Sequence, residues 1–346
     1  MPRRPTIRSR WSAPRNPGQW GLLLTRGVLA LLGGFLGVSL LNLVWPEPEP
    51  PSLSRAGESI SDLANLPNRP ITLLVIGVDA DTLDAPSNQA APAGPANADA
   101  LLLVRVNPDA PLQVLPLPAT LAVQLPGEPG PQSLASLYRL GGAALTADAV
   151  RELLGLPAGR PDRYLVLSRG ALRSLVEGLG SVEVNPQRTM RYSDKTQELE
   201  IDLQAGLQRL TPEQVEGLAR WRDPARPLES RLENHRQVVD SLHRELRLQG
   251  VDAGLPALAN QLRSQVNTNL TRNEVLSLMA AALRPDGSVS FTSLPLAAAR
   301  QGEKAKATGL RELAAQLPDP FWPEPKAGDG AQTAAAGAGT ASAASP

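Results

Sequence analysis

From Gly27 to Trp45 the chain runs GVLALLGGFLGVSLLNLVW, 19 residues without a charge. That is about the length an α-helix needs to cross a hydrocarbon core. Nothing else in the sequence restricts the architecture so sharply, because such a stretch divides the chain between two aqueous compartments. Asn42 is its only strongly polar side chain, and Trp20 and Trp45 stand where interfacial aromatic belts fall. Arg3, Arg4, Arg8, Arg10, Arg15 and Arg26 come before any acid, and the first carboxylate is Glu47. This asymmetry predicts a cytoplasmic amino terminus with the remainder outside. The run exceeds a typical secretory h-region and ends in Trp-Pro-Glu rather than small residues. An uncleaved signal anchor over 20–45 is therefore expected, after a basic cytoplasmic segment over 1–19.

Residues 46–69 are rich in Pro, Ser and Glu and read as a stiff tether. Residues 319–346 end in an Ala/Gly-rich stretch of low complexity and are expected to be a disordered tail. A folded extracytoplasmic unit remains at 70–318. The chain has no cysteine, which excludes disulfide scaffolds, zinc ribbons and thiol catalysis. Its two histidines exclude a His-rich metal site. Lys plus Arg balances Asp plus Glu at 34 each, so no overall basic field recruits nucleic acid.

Within the unit, Ile71–Ile76 and Leu101–Val106 are short aliphatic runs suited to strands buried on both faces. Leu112–Leu117, Leu121–Leu125, Tyr164–Leu167, Val182–Val184 and Leu199–Leu203 also read as strands. Helices are expected over Ala147–Leu154 behind a Thr146 cap, after the Tyr164–Leu167 strand through Val176, and over 229–248. Capping boxes at Thr211/Gln214 and Thr271/Glu274 mark two further helix starts. Gly178 and Gly180 read as a helix stop, since no helix follows them as a phosphate loop requires. Strands alternating with helices predict an α/β fold, a mixed β-sheet sandwiched by helices, preceded by one transmembrane helix.

Two clusters can carry chemistry. Asp79 follows the first strand in VIGVDAD, and Asp99 precedes the second in ANADALLLV. Acids at strand ends sit where α/β folds bind ligands, and two together can hold Mg²⁺ alongside substrate phosphates. Equally, each can simply solvate a strand end. Arg220 and Arg222 lie in GLARWRDPARP, where Pro224 disfavours helix at Asp223 and extends the chain at Arg222. Positions two apart in an extended segment share a face, so the two guanidiniums form a fork for phosphate oxygens. Surface pairing with Asp223 and Glu229 is the alternative. Arg231, near the start of the next helix, can join them. His235 and His243 read as ordinary helix residues.

In order and spacing, VIGVD, NADALLLVRVNP, LYRLGG, RPDRYLVL, LGSVEVNP, IDLQAGLQRLTPEQ, ARWRD and SRLENHRQ resemble the LytR-CpsA-Psr family of bacterial envelope proteins, over about 70–245. The resemblance implies an extracytoplasmic domain that binds a polyprenyl-(pyro)phosphate lipid carrier. It implies transfer of the carrier's glycopolymer, as a phosphodiester, to a cell wall polymer with Mg²⁺. It assigns Asp79 and Asp99 to the metal and Arg220, Arg222 and Arg231 to phosphate, with Asp99, Arg220 and Arg222 as the catalytic set. No recognition helix for DNA is present, and the folded unit is expected across the membrane from it.

The departures from the family pattern are also specific. Its arginine before the second Asp falls on Asn97, and its Arg-Asp pair falls on Ala119 and Thr120. Its Lys-x-Asn falls on Ser133 and Ala135, and a later Arg-Gln pair on Asn234 and His235. Charge-assisted hydrogen bonds are worth about 1.5–3 kcal/mol each. Two missing arginines then remove about 3–6 kcal/mol of transition-state stabilisation, or about two to four orders of magnitude in rate. A non-catalytic lipid-binding or envelope scaffold role therefore stands beside transfer.

Overall fold

The computed structural model describes residues 65–85, 95–248, 254–284, 287–297, 309–315 and 317. The expected membrane anchor at 20–45, most of the 46–69 tether and the 319–346 tail lie outside the described residues. Among the described residues, no helix is long and apolar enough to cross a membrane.

A six-stranded mixed sheet has the order β11-β6-β1-β2-β3-β12. It is built from β1 (Ile71–Val78), β2 (Ala98–Val106), β3 (Leu112–Leu117), β6 (Arg163–Leu167), β11 (Val266–Thr268) and β12 (Val289–Phe291). β1 runs antiparallel to β2 and parallel to β6, with Leu73 opposite Val104 and Arg163. Consecutive aliphatics give β1 two apolar faces, and the period of two sends them different ways. Leu74, Ile76 and Val78 of β1 and Leu101 and Leu103 of β2 enter a dense core with Leu134, Leu137 and Val150 of α1 (Leu134–Leu153). Leu73 and Val75 of β1 and Leu102 and Val104 of β2 face the opposite side, where they line a cavity.

That second side is covered by α2 (Arg169–Gly178), α4 (Pro227–Leu248) and α6 (Arg272–Ala282). A second core joins α2, α3 (Pro212–Arg220) and α4 to β7 (Val182–Val184), the β8–β9 hairpin (Met190–Asp194, Leu199–Leu203) and β10 (Gln208–Leu210). α5 spans Gly254–Leu262. Both capping boxes form: Thr211 with Gln214 opens α3, and Thr271 with Glu274 opens α6. Gly178 and Gly180 end α2 and turn the chain into β7, as expected.

Two expectations need correction. Thr146 is not a cap: α1 begins at Leu134 behind Ser133 and is broken at Gly141 and Gly142, with Gly142 at φ 65°. Thr146 is buried one turn beyond that break and donates its hydroxyl to the Gly142 carbonyl. The Gly pair, able to take the left-handed conformation, decides the break, and the local cap signal does not. The strand expected over Leu121–Leu125 contracts to β4 (Ala122–Val123), paired with β5 (Gln132–Ser133).

Candidate functional site

The rim of the cavity starts with a register shift. The β1–β2 ladder is irregular between Gly77 and Val78, immediately before Asp79. Gly77 pairs with Ala100 and Val78 with Ala98, so Asp99 is the extra residue of β2. Bulges next to functional sites re-aim side chains, and here Asp99 joins the cavity side while Asp79 follows the end of β1. Its backbone N–H donates to the Asn97 carbonyl at 3.0 Å, and its Oδ1 accepts from the Asn97 N–H at 2.8 Å. Asp99 lies inside β2 rather than ahead of it.

Asp99 connects two arginines. Its Oδ2 is 2.5 Å from Arg231 Nη2, and its Oδ1 is 3.7 Å from Arg222 Nη2. Burial raises the Asp99 pKa, but the charges of Arg231 and Arg222 outweigh it and hold the carboxyl below its ordinary range. Asp79 shifts the other way: burial raises it, and the nearby Asp99 charge adds to that, against the opposing Asn97 N–H. The two acids therefore sit close enough to repel.

α3 ends at Arg220, and the extended conformation of Trp221 (φ −64°, ψ 140°) turns the chain outward. Arg220 donates from Nη1 to Glu216 at 3.0 Å and from Nη2 to Gln197 at 2.6 Å. Arg222 then follows on the strand-like segment beside Asp99. Its partner is Asp99 rather than its neighbour Asp223, which is buried and pairs with Arg188. Arg231 comes from the first turns of α4 and is buried beneath Asp99.

Two cavities meet at these groups. One, about 400 Å³, is largely aliphatic and lies between the sheet and the covering helices, against Leu73, Val104, Leu172, Val238, Leu242 and Met279. The other, about 300 Å³, is polar and open to the β8–β9 hairpin through Tyr192 and Gln197. Asp79, Asp99 and Arg220 belong to both, Arg222 to the polar one and Arg231 to the aliphatic one. All five residues singled out in the sequence are thus brought together.

Other residues at the site were not singled out. Glu216 is a buried carboxylate on the packed face of α3, shared by Arg169, Arg173 and Arg220. A charged residue between Val215 and Leu218 was its only local signal. His235 and His243, read as ordinary helix residues, are buried on α4 and line the aliphatic cavity. His235 bonds the Ala219 carbonyl, and burial plus the charge of Arg231 push its pKa down to about 4. His243 Nε2 is 2.8 Å from the Ala282 carbonyl. Asn234, at a departure from the family pattern, donates to the Trp221 carbonyl and fastens α4 to the segment after α3.

Asp79 and Asp99 are the residues that would hold a magnesium ion of the kind that shares its coordination with a substrate. The Asp99 charge raises the Asp79 pKa, while the Asp99 oxygens themselves face Arg231 and Arg222. Among the described residues, no group of three or more His, Cys, Asp or Glu side chains is placed to complete a site. Mg²⁺ held by one or two carboxylates takes its remaining ligands from water and phosphate.

Fold and site together define an α/β domain with an acid-and-arginine rim over an aliphatic cavity. The profile of the LytR_cpsA_psr family matches residues 52–316, and the chain belongs to that family. It is 23% identical over 230 residues to the regulatory protein MsrR of Staphylococcus aureus, covering 65% of this chain and 64% of that protein. It is 28% identical over 182 residues to TagU of Enterococcus faecalis, a polyisoprenyl-teichoic acid–peptidoglycan teichoic acid transferase, covering 51% and 54%. The chain thus matches less than two-thirds of the length of these relatives. Bacillus subtilis TagV shares the fold with a TM-score of 0.58 at 18% identity, over 72% of this chain and 93% of that one.

Proposed function

We propose that this protein is a membrane-anchored envelope protein that binds a polyprenyl-(pyro)phosphate-linked glycopolymer and transfers it to a cell wall polymer with the assistance of Mg²⁺. The observation that carries the reading is the shared lining of the two cavities by Asp79, Asp99 and Arg220. A ligand with a greasy tail and an anionic head needs that junction: apolar area is buried on one side while charge is met on the other. The name of the Enterococcus relative points to the same substrate chemistry. The uncharged run at Gly27–Trp45 supports anchoring.

In the transfer, a hydroxyl of the acceptor attacks the phosphorus nearest the glycopolymer and gives up its proton to water. The bond from that phosphorus to the bridging oxygen breaks as polyprenyl phosphate departs with that oxygen. Arg220 and Arg222 face the polar cavity and neutralise the charge that develops on the phosphate oxygens. Asp99 orients Arg222 and Arg231 through its two oxygens. Asp79 and Asp99 would hold Mg²⁺, which when bound adds charge neutralisation at the pyrophosphate. The aliphatic cavity keeps the prenyl chain out of water.

One observation favours a second reading, binding without transfer. Ala119 and Thr120, where the resemblance implies an Arg-Asp pair, line neither cavity, and their carbonyls accept from Ala135 and Arg311 instead. The test uses the full-length chain in detergent micelles with Mg²⁺, a polyprenyl-pyrophosphate-linked oligosaccharide and peptidoglycan. Release of polyprenyl phosphate that disappears in Asp99→Ala and Arg220→Ala is the expected result. Tight binding without release selects the second reading, and absence of both refutes a lipid-carrier role.

A further inference from the structure

The arginines that the family resemblance implies at 97 and 119 are replaced by Asn97 and Ala119. Another guanidinium enters the same cavity from a different element. Arg169 is the first residue of α2, behind the Ser168 cap, and lines the aliphatic cavity with Asp79, Asp99 and Arg220. Its backbone is fixed at the end of β1: Arg169 N–H donates to the Ala80 carbonyl at 2.9 Å, and Gly170 N–H to the Asp81 carbonyl at 3.1 Å. The approach is close enough that a Cβ on Gly170 would lie 2.7 Å from the Asp81 oxygen.

Its side chain is held but not saturated. Among the described residues, the Arg169 guanidinium makes one hydrogen bond, from Nη1 to Glu216 Oε1 at 3.4 Å. Nε is buried without a partner. The two other guanidiniums on Glu216 each have a second partner, Asp81 for Arg173 and Gln197 for Arg220. A guanidinium has five donors, and a buried donor left unmade is costly enough to call for an acceptor. Among the three, Arg169 combines spare donors with a place in the cavity beside Asp79.

We propose that Arg169, positioned by Glu216, is a phosphate-binding residue of this site and supplies from α2 a positive charge that is missing at 97 and 119. The inference rests on the lipid-phosphate reading above. The ligand chemistry is a pyrophosphate group, whether carried on a prenyl chain or free.

The test titrates full-length protein in detergent micelles with geranylgeranyl pyrophosphate, geranylgeraniol and inorganic pyrophosphate. Wild type is expected to prefer the ester over the alcohol. Arg169→Gln should lose about ten- to hundredfold in affinity for the ester, the range for a charge-assisted bond, with affinity for the alcohol unchanged. Arg173→Gln removes a guanidinium from Glu216 but none from the aliphatic cavity, and should keep the wild-type preference. Equal losses for ester and alcohol, or equal losses in the two variants, reduce Arg169 to a structural role and overturn the proposal. A wild type that does not discriminate ester from alcohol fails the lipid-phosphate reading itself. A wild type that discriminates, with Arg169→Gln doing so equally, fails Arg169 alone. Inorganic pyrophosphate that competes as well as the ester supports Arg169 but identifies a free anion as sufficient. If Arg169→Gln does not fold, phenylglyoxal labelling of wild type decides. Geranylgeranyl pyrophosphate should protect Arg169 and not Arg173, and equal labelling of Arg169 with and without it overturns the assignment.

Discussion

Acidification should destabilise this protein through its buried imidazoles, His235 foremost, before most carboxylates titrate. His235 sits on α4 in the wall of the aliphatic cavity, bonded to the Ala219 carbonyl and facing Arg231, Arg222 and Asp99. Burial, then the Arg231 charge, lowers its pKa from an ordinary 6.5 to about 4 in the folded protein. Between those values the unfolded chain binds a proton that the folded chain does not, so stability rises with pH in that window. The contribution is complete above about 6.5 and is lost as pH falls through the folded value. At about 1.4 kcal/mol per pH unit, the loss approaches about 3 kcal/mol by pH 4. For a domain with typical marginal stability, that is a large fraction of the total. The assay is urea denaturation of wild type and His235→Gln from pH 4 to pH 7.5, without divalent cations. Gln keeps an N–H for the Ala219 carbonyl but cannot titrate. Asp79, whose raised pKa has the opposite slope, Asp99, whose lowered pKa acts below 3.8, and His243, whose burial lowers its pKa and gives the same slope as His235, remain in both proteins. The difference between the two curves therefore isolates His235. Wild type should lose about 3 kcal/mol more than the variant on acidification, and parallel curves would refute a neutral buried imidazole at this position.

Other substitutions separate packing from charge. Asp99→Asn leaves Arg231, whose side chain is 10% exposed, without its counter-charge. Breaking a fully buried pair costs about 3–5 kcal/mol, and solvent at the one-third-exposed Asp99 reduces this to about 2–3 kcal/mol, readable from denaturation midpoints. Val104→Phe places a ring in the aliphatic cavity. It should weaken geranylgeranyl pyrophosphate binding by at least tenfold, an order-of-magnitude expectation, and leave thermal stability near wild type because the space already exists. Gly170→Ala sets a methyl against backbone oxygen that cannot swing away, so a loss of about 1–3 kcal/mol is expected. A wild-type melting temperature for that variant would show that α2 can shift.

Several elements could be read from local sequence because their determinants are local. Aliphatic runs marked β1, β2 and β3, the two capping boxes marked the starts of α3 and α6, and Pro224 marked the extension that carries Arg222 out of α3. The motif series was enough to single out Asp79, Asp99, Arg220, Arg222 and Arg231. The break at Gly141–Gly142 was not legible from the Thr146 signal, since it is the glycine pair, with Gly142 at φ 65°, that leaves the helical conformation.

What the order of residues determined alone was therefore the set of strands and helix starts, the uncharged run near the amino end, and the charged groups worth watching. Only the tertiary structure decided that β1 and β2 give one face to a dense core and the other to a cavity, because aliphatic residues occupy both faces of each strand. It also decided that Glu216 collects three arginines contributed by two helices, and that Arg169 and His235 reach the same space. A buried charge carries no local mark of its partner, since its cost and its compensation are set by groups brought together only when the chain folds.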